Sequence, residues 1–302
     1  MAYILGLLAL LMNSIKGYCG KKTSGVINTF SNTILFTLAR MIICISIGLF
    51  LIWIKFKTFS SITADSTLII VSAISGIASA AFVVSWIVSI RTGSYMMVDV
   101  FLTLGVSIPL IACRIIYNEP LEISHGIGFV LLVFAAYVMS SYNKSIGKAR
   151  LTQKSLILLA LCGFSNGVNL FCQKFFNYEC QSDIYTYNFY TYVFSSVALL
   201  IFWSLLYITK ANRQTGEEKN KIPLLRLSVY VFLMAVCLFL NSLFTTAAAQ
   251  TLTASQLYPF MQGGNLVFSM LMSAVFFKEG ITKKSVFGCA LTFLALLFIN
   301  IF

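Results

Sequence analysis

The sequence predicts an all-α integral membrane protein, with ten transmembrane helices arranged as a 5+5 inverted repeat. Three observations predict it: composition, the length of the apolar runs, and a copy of one pattern displaced by about half the chain. The 302 residues are 59% hydrophobic and only 10% charged, and the mean hydropathy is +0.91. A soluble domain carries about 25% charged residues. The hydrophobic residues fall in continuous runs, and ~20 apolar helical residues cross the ~30 Å core of a bilayer. Unpaired backbone groups are costly in lipid, so the spanning elements should be helices. The short alternating segments of a membrane barrel are not seen.

Ten apolar segments follow in order: roughly 2–19, 29–54, 66–91, 94–116, 121–142, 152–174, 184–208, 224–249, 254–277 and 282–302. The first lacks a basic leader and a small-residue cleavage site, and so reads as a spanning helix and not as a removed signal peptide. The joins at 91–94, 117–121, 249–254 and 277–282 are very short, so the segments they connect are expected to run antiparallel. The stretch from Lys210 to Arg226 is the longest polar one and reads as a solvated loop.

The repeat is clearest in two turns. Asn118-Glu119-Pro120-Leu121 precedes Gly128, and Lys278-Glu279-Gly280-Ile281 precedes Gly288. Each glutamate stands nine residues before its glycine, and the offset between the copies is 279 − 119 = 160. A pattern repeated at that distance signals an internal repeat, here residues 1–143 and 144–302. Five segments per repeat is an odd number, so tandem copies must lie in opposite orientations. Transporters use this design, with the substrate site near the midplane between the halves.

Net charge is +12, from 21 Lys+Arg against 9 Asp+Glu. In a membrane chain these cations orient the helices, and a nucleic-acid partner is not expected. Loops after odd-numbered segments hold 16 of the basic residues, loops after even-numbered ones hold 4, and Arg40 completes the 21. The asymmetry places the odd loops in the cytoplasm of a cell-membrane protein, with both termini outside. The eight cysteines are scattered through apolar runs without a Cys-x-x-Cys, which points to packing and to no metal or disulfide role.

Charges inside a spanning helix are costly and mark function. Arg40, in mid-segment, is a candidate anchor for a carboxylate or phosphate, the alternative being a structural pair with Asp99. Asp99 is a candidate for a substrate amine or a coupling proton, the alternative being neutralisation of Arg40. Lys16 sits at the end of the first segment, where it can also snorkel. Asn166, Asn169 and Gln173 share one face of the sixth segment. Tyr258, Gln262 and Asn265 share a face of the ninth, where Pro259, Gly263 and Gly264 favour a kink, local unwinding or close helix approach. These polar stripes suit a wet cavity or helix–helix hydrogen bonds. Asn241 and Trp86 are weaker additions. Glu119 and Glu279 are expected to cap the helices that follow them, Arg114 to anchor at an interface, and His125 to lie exposed at headgroup level.

With its two helix-joining turns, their following glycines Gly128 and Gly288, and Leu257-Tyr258-Pro259-Phe260-Met261-Gln262-Gly263-Gly264, the chain resembles the drug/metabolite transporter superfamily in its ten-helix EamA-like branch. The resemblance covers the whole chain in organisation and is sharpest over 92–141 and 250–302. Pro120 and the second glutamate of the first turn depart from it. It implies a central cavity, alternating access and a small-molecule substrate, with no cofactor. Members move amino acids, sugars, nucleotide derivatives, metabolites or drugs, and no universal binding motif carries over. The sequence has no Walker loop and no His-Glu-x-x-His, so neither ATP-driven pumping nor membrane-bound metal hydrolysis is expected. A membrane enzyme or a non-transporting receptor is the alternative reading, and H+ is a candidate coupling ion.

Overall fold

The computed structural model describes residues 1–27, 29–57, 65–92, 95–120, 122–140, 152–208, 224–278 and 281–301. Glu279, Gly280, the 143/144 repeat boundary and most of the Lys210–Arg226 loop lie outside them. Eleven helices are described: α1 (Ala2–Ser24), α2 (Phe30–Phe56), α3 (Ser66–Thr92), α4 (Tyr95–Leu104), α5 (Ser107–Tyr117), α6 (Ile123–Ser140), α7 (Gln153–Glu179), α8 (Ile184–Ile208), α9 (Leu224–Ala248), α10 (Ala254–Val275) and α11 (Lys283–Ile301). Each of the ten apolar segments is helical, the fourth being divided into α4 and α5. Among the described residues, seven segments are long and apolar enough to cross a membrane: α1, α2, α3, α4–α5 taken together, α7, α8 and most of α9. The molecule is a helical, multi-pass membrane protein.

Local chemistry sets the ends. Thr29 and Thr152 cap α2 and α7 by accepting from Asn32 N and Ser155 N, both at 3.2 Å, which satisfies one of the orphan donors of the first turn. The division of the fourth segment has a cause in Pro109. It lacks the N–H that Gly105 O would accept in a continuous helix. The chain tightens instead: Gly105 N donates to Leu102 O, Val106 N to Thr103 O, and Ile108 N to Gly105 O, each three residues back. Gly105 also lies where α7 comes closest. A side chain there would overlap the Gly163 carbonyl, and one on Gly167 would overlap the Gly105 carbonyl. The Gly163-x-x-x-Gly167 pair thus lets two backbones touch. By contrast α10 runs unbroken through Pro259, Gly263 and Gly264. Close approach is present: Gly264 faces Leu10 of α1.

The packing is reciprocal between the halves. α1 packs on α9 as α3 packs on α7, and α2 packs on α8. α6 packs on α11. Asn118 and Lys278, 160 residues apart, both take left-handed backbone, with φ of 53° and 49°. The interior holds polar groups and the outside is apolar. Ser72, Ser75, Thr37 and Asn188 are fully buried, whereas Ile115, Val130, Ile157 and Ile208 are largely exposed, as suits a lipid surround. Seven of the eight cysteines are buried, and all are free thiols.

Candidate functional site

A cavity lies between the halves, walled by α1, α3, α4, α7, α8, α9 and α10. It offers about 60 Å³ to the centres of water molecules, room for several waters. Seven of the nine residues singled out from the sequence line it: Lys16, Asp99, Asn166, Asn169, Gln173, Gln262 and Asn265. Asn241 and Trp86 line it as well.

The amides are held by a second layer of hydroxyls. Asn169 Oδ1 accepts from Ser75 Oγ at 2.6 Å, and Ser75 Oγ in turn accepts from Tyr187 Oη at 2.9 Å. Gln173 Nε2 donates to Ser242 Oγ at 3.3 Å, which donates to Asn188 Oδ1 at 2.6 Å. Asn13 Nδ2 donates to Asn265 Oδ1 at 2.8 Å, joining α1 to α10 across the wall. Asn241 Nδ2 donates to the Ala9 carbonyl at 2.8 Å. Such bonds fix which end of each amide points inward. Asn166 Nδ2 and Gln173 Oε1 are fully buried with no hydrogen-bond partner among the described residues.

Lys16 and Asp99 face the cavity as neighbours. Lys16 Nζ lies 5.7 Å from the ring centres of Phe82 and Trp86, a cation–π arrangement. Space for Tyr95 and Trp86 comes from α1. A side chain on Gly17 would overlap Tyr95 Oη, and one on Gly20 would come 2.7 Å from Trp86 Cζ3.

Two of the nine candidates lie elsewhere. Tyr258 is fully buried off the cavity and donates to Leu170 O at 2.7 Å, tying α10 to α7. Arg40 does not line the cavity either. It is fully buried over the Phe36 ring, at 5.6 Å, beside Tyr192, which does line it. Asp99 is not its partner: among the described residues no guanidinium nitrogen of Arg40 has a hydrogen-bond partner.

Two further expectations are corrected, those for Glu119 and His125. Glu119 does not cap α6. Its Oε2 accepts from Ala254 N at 2.9 Å, at the start of α10, and its Oε1 accepts from Tyr178 Oη at 2.9 Å. Arg114 folds back to donate to the Glu119 carbonyl at 3.3 Å. His125 is buried, not exposed, and its Nδ1 accepts from Glu122 N at 3.0 Å.

Sequence reasoning missed the α8 wall, Thr191 and Tyr192, and the Ser75–Ser79 edge of α3. The signal was present. Asn188, Thr191, Tyr192 and Ser195 recur at helical spacing, as do Ser75, Ser79, Phe82 and Trp86.

Comparison with known proteins agrees with this arrangement. Residues 153–301 match the model of the EamA-like transporter family. The match falls in the second half of the chain. This is consistent with the drug/metabolite transporter superfamily, whose EamA-like members are transporters and not enzymes. No curated protein matches significantly. Among solved structures, one described only as a crystal structure of a protein is similar with a TM-score of 0.63 at 13% identity, over 99% of this chain and 96% of that one. That likeness concerns the fold. The matched half supplies α7 and α10, and with them the amide-rich faces of the cavity.

Proposed function

We propose that this EamA-like membrane protein transports a small polar or amphipathic metabolite or drug by alternating access through the central cavity, without ATP hydrolysis. The observation that carries the reading is the cavity itself: an amide-rich, charged chamber fed by both halves of an otherwise apolar bundle. Polar groups inside a membrane protein are costly unless they meet water, one another or a ligand. A receptor or a purely structural bundle needs no such chamber at its centre.

In this reading the chain is two five-helix repeats, 1–143 and 144–302, in inverted orientation. The left-handed turns at Asn118 and Lys278 and the reciprocal packing of α1 on α9 and α3 on α7 support it. The cavity is only water-sized, as expected of a contracted state that must open to one side to admit solute. Lys16, Asp99, Asn166, Asn169, Gln173, Gln262 and Asn265 contact the substrate, Arg40 acts from behind Tyr192, and the Asp99 carboxyl is the candidate carrier of a coupling H+. Tyr258 holds α10 to α7. The protein resides in the cell membrane with both termini outside. Flux into liposomes tests the reading: a panel of amino acids, sugar phosphates, nucleosides and cationic drugs should contain a solute whose uptake needs the protein and is lost in Asn166→Leu. Protein-dependent uptake of no solute from the panel, with the reconstituted protein folded, would count against transport.

A further inference from the structure

Around the cavity, charge does not balance. Lys16 is 5% exposed. Its ammonium faces the cavity against Phe82 and Trp86 and has no hydrogen bond or ion pair among the described residues. Arg40, 0% exposed, leaves Nε, Nη1 and Nη2 all without an acceptor among the described residues. Against these stands one acid among the lining residues, Asp99. Two cations are set against one carboxylate. A buried charge without a partner costs several kcal/mol. A membrane interior tolerates that cost where a ligand offsets it.

We propose that the transported molecule carries an acceptor-rich anionic group, a carboxylate or a phosphate. Lys16 binds this group directly, and Arg40 supplies the second positive charge through the Tyr192 side of the wall. The two cations outweigh Asp99, so the chamber attracts an anion even when its carboxylate is charged. The Arg40 guanidinium has no acceptor among the described residues, so its charge is not spent on a protein partner and acts across Tyr192 on the chamber. The uncharged remainder of the solute meets the amides of α7 and α10. This rests on the transport reading and names the substrate class for it.

Trp86 supplies a reporter, because its ring touches the Lys16 ammonium. In a Trp53→Phe, Trp203→Phe background, Trp86 fluorescence is titrated in detergent with inorganic phosphate and, separately, with acetate, at constant ionic strength in chloride. Both probes are small enough for a water-sized cavity. A saturable change is expected with at least one of them. A response to phosphate alone assigns a phosphate group, and a response to acetate alone assigns a carboxylate. Lys16→Gln should weaken binding at least tenfold and Lys16→Arg should largely restore it. Arg40→Lys, which keeps the charge, should bind more tightly than Arg40→Gln. If Arg40→Gln does not fold, the Lys16 pair decides alone. Absence of saturation by either anion in the folded parent overturns the proposal, as does binding indifferent to Lys16→Gln. A response to methylammonium alone, lost in Asp99→Asn, overturns the anion assignment while leaving transport standing. Anion binding without liposome flux of any solute would instead sink the transport reading and leave the site.

Discussion

Gly128 and Gly288 stand in the same contact seen twice. A methyl group on Gly128 would meet Ile299 and come 2.8 Å from the Ala295 carbonyl oxygen, and one on Gly288 would meet Met139 and come 3.8 Å from the Ala135 carbonyl oxygen. Ile299 and Ala295 are Met139 and Ala135 displaced by 160 residues, the same offset that separates the glycines. α6 and α11 therefore meet through positions that share one offset, the pattern that the proposed inverted repeat requires. The contacts differ in what can yield. Gly128 faces a backbone oxygen, whereas Gly288 faces the flexible end of Met139, 2.6 Å from its Sδ. Gly128→Ala is expected to destabilise by about 1–3 kcal/mol, in the range of overpacked cores, and Gly288→Ala by less. Thermal midpoints of the two purified variants give the order. Equal midpoints would mean that the two glycines are not packed differently.

The helices were legible because lipid forces long apolar runs. The break at Gly105 was not called, although Pro109 shows its cause. A proline removes a donor four residues away from where the chain bends, and Pro259 sits in a helix that stays whole. Periodicity placed Asn166, Asn169 and Gln173 on one face correctly, but could not tell that face from the face of Tyr258, which is spent on Leu170. Depth along a helix was read well for Arg40 and direction was not. Its helix packs on α8 and α9, and only tertiary structure reveals that Tyr192, not Arg40, forms the wall.

Tyr258 and Gln262 lie one turn apart on α10 yet should behave differently. Tyr258→Phe removes a buried hydrogen bond to Leu170 O, worth about 1 kcal/mol, and should lower the thermal midpoint while leaving flux near that of the parent. Gln262→Leu alters the cavity wall and should abolish flux with little change in midpoint. Loss of flux with Tyr258→Phe at an unchanged midpoint would move Tyr258 into the binding site.

Among the described residues, Lys21 and Arg91 lie together at one end of the bundle. Lys21 Nζ, near the end of α1, donates to Ile90 O near the end of α3 at 2.7 Å, and Arg91 Nη1 donates to Ile27 O at 2.7 Å. Tyr18 stacks on Phe277, just after α10, with centroids 5.9 Å apart. The C-terminal ends of α1, α3 and α10 thus meet, as odd-numbered segments should. In the proposed topology the 16-to-4 split of loop cations assigns that end to the cytoplasm. A fluorescent protein that matures only in the cytoplasm should stay dark at either terminus and light up when inserted in the 210–223 loop. The reverse pattern would invert the topology.

At the opposite end, Lys174 and Glu119 close the bundle. Lys174 is 4% exposed, and its Nζ donates to Ala249 O at 3.0 Å and Leu252 O at 2.6 Å, with Glu119 Oε1 at 3.7 Å. Glu119 in turn holds the first turn of α10 through Ala254 N. One carboxylate therefore joins α5, α7 and α10. Removing it strands a buried ammonium, a loss of about 3–5 kcal/mol for a pair broken from one side. Glu119→Ala should be strongly destabilising, and Glu119→Gln less so, because the amide oxygen still accepts from Ala254 N. The decisive variant is Glu119→Ala with Lys174→Met, which removes the stranded charge along with its partner. It should recover a substantial part of the lost midpoint, the coupling expected of residues in one network. Additive losses would mean that the two groups act separately, and that the Glu119 carboxylate matters only for the start of α10.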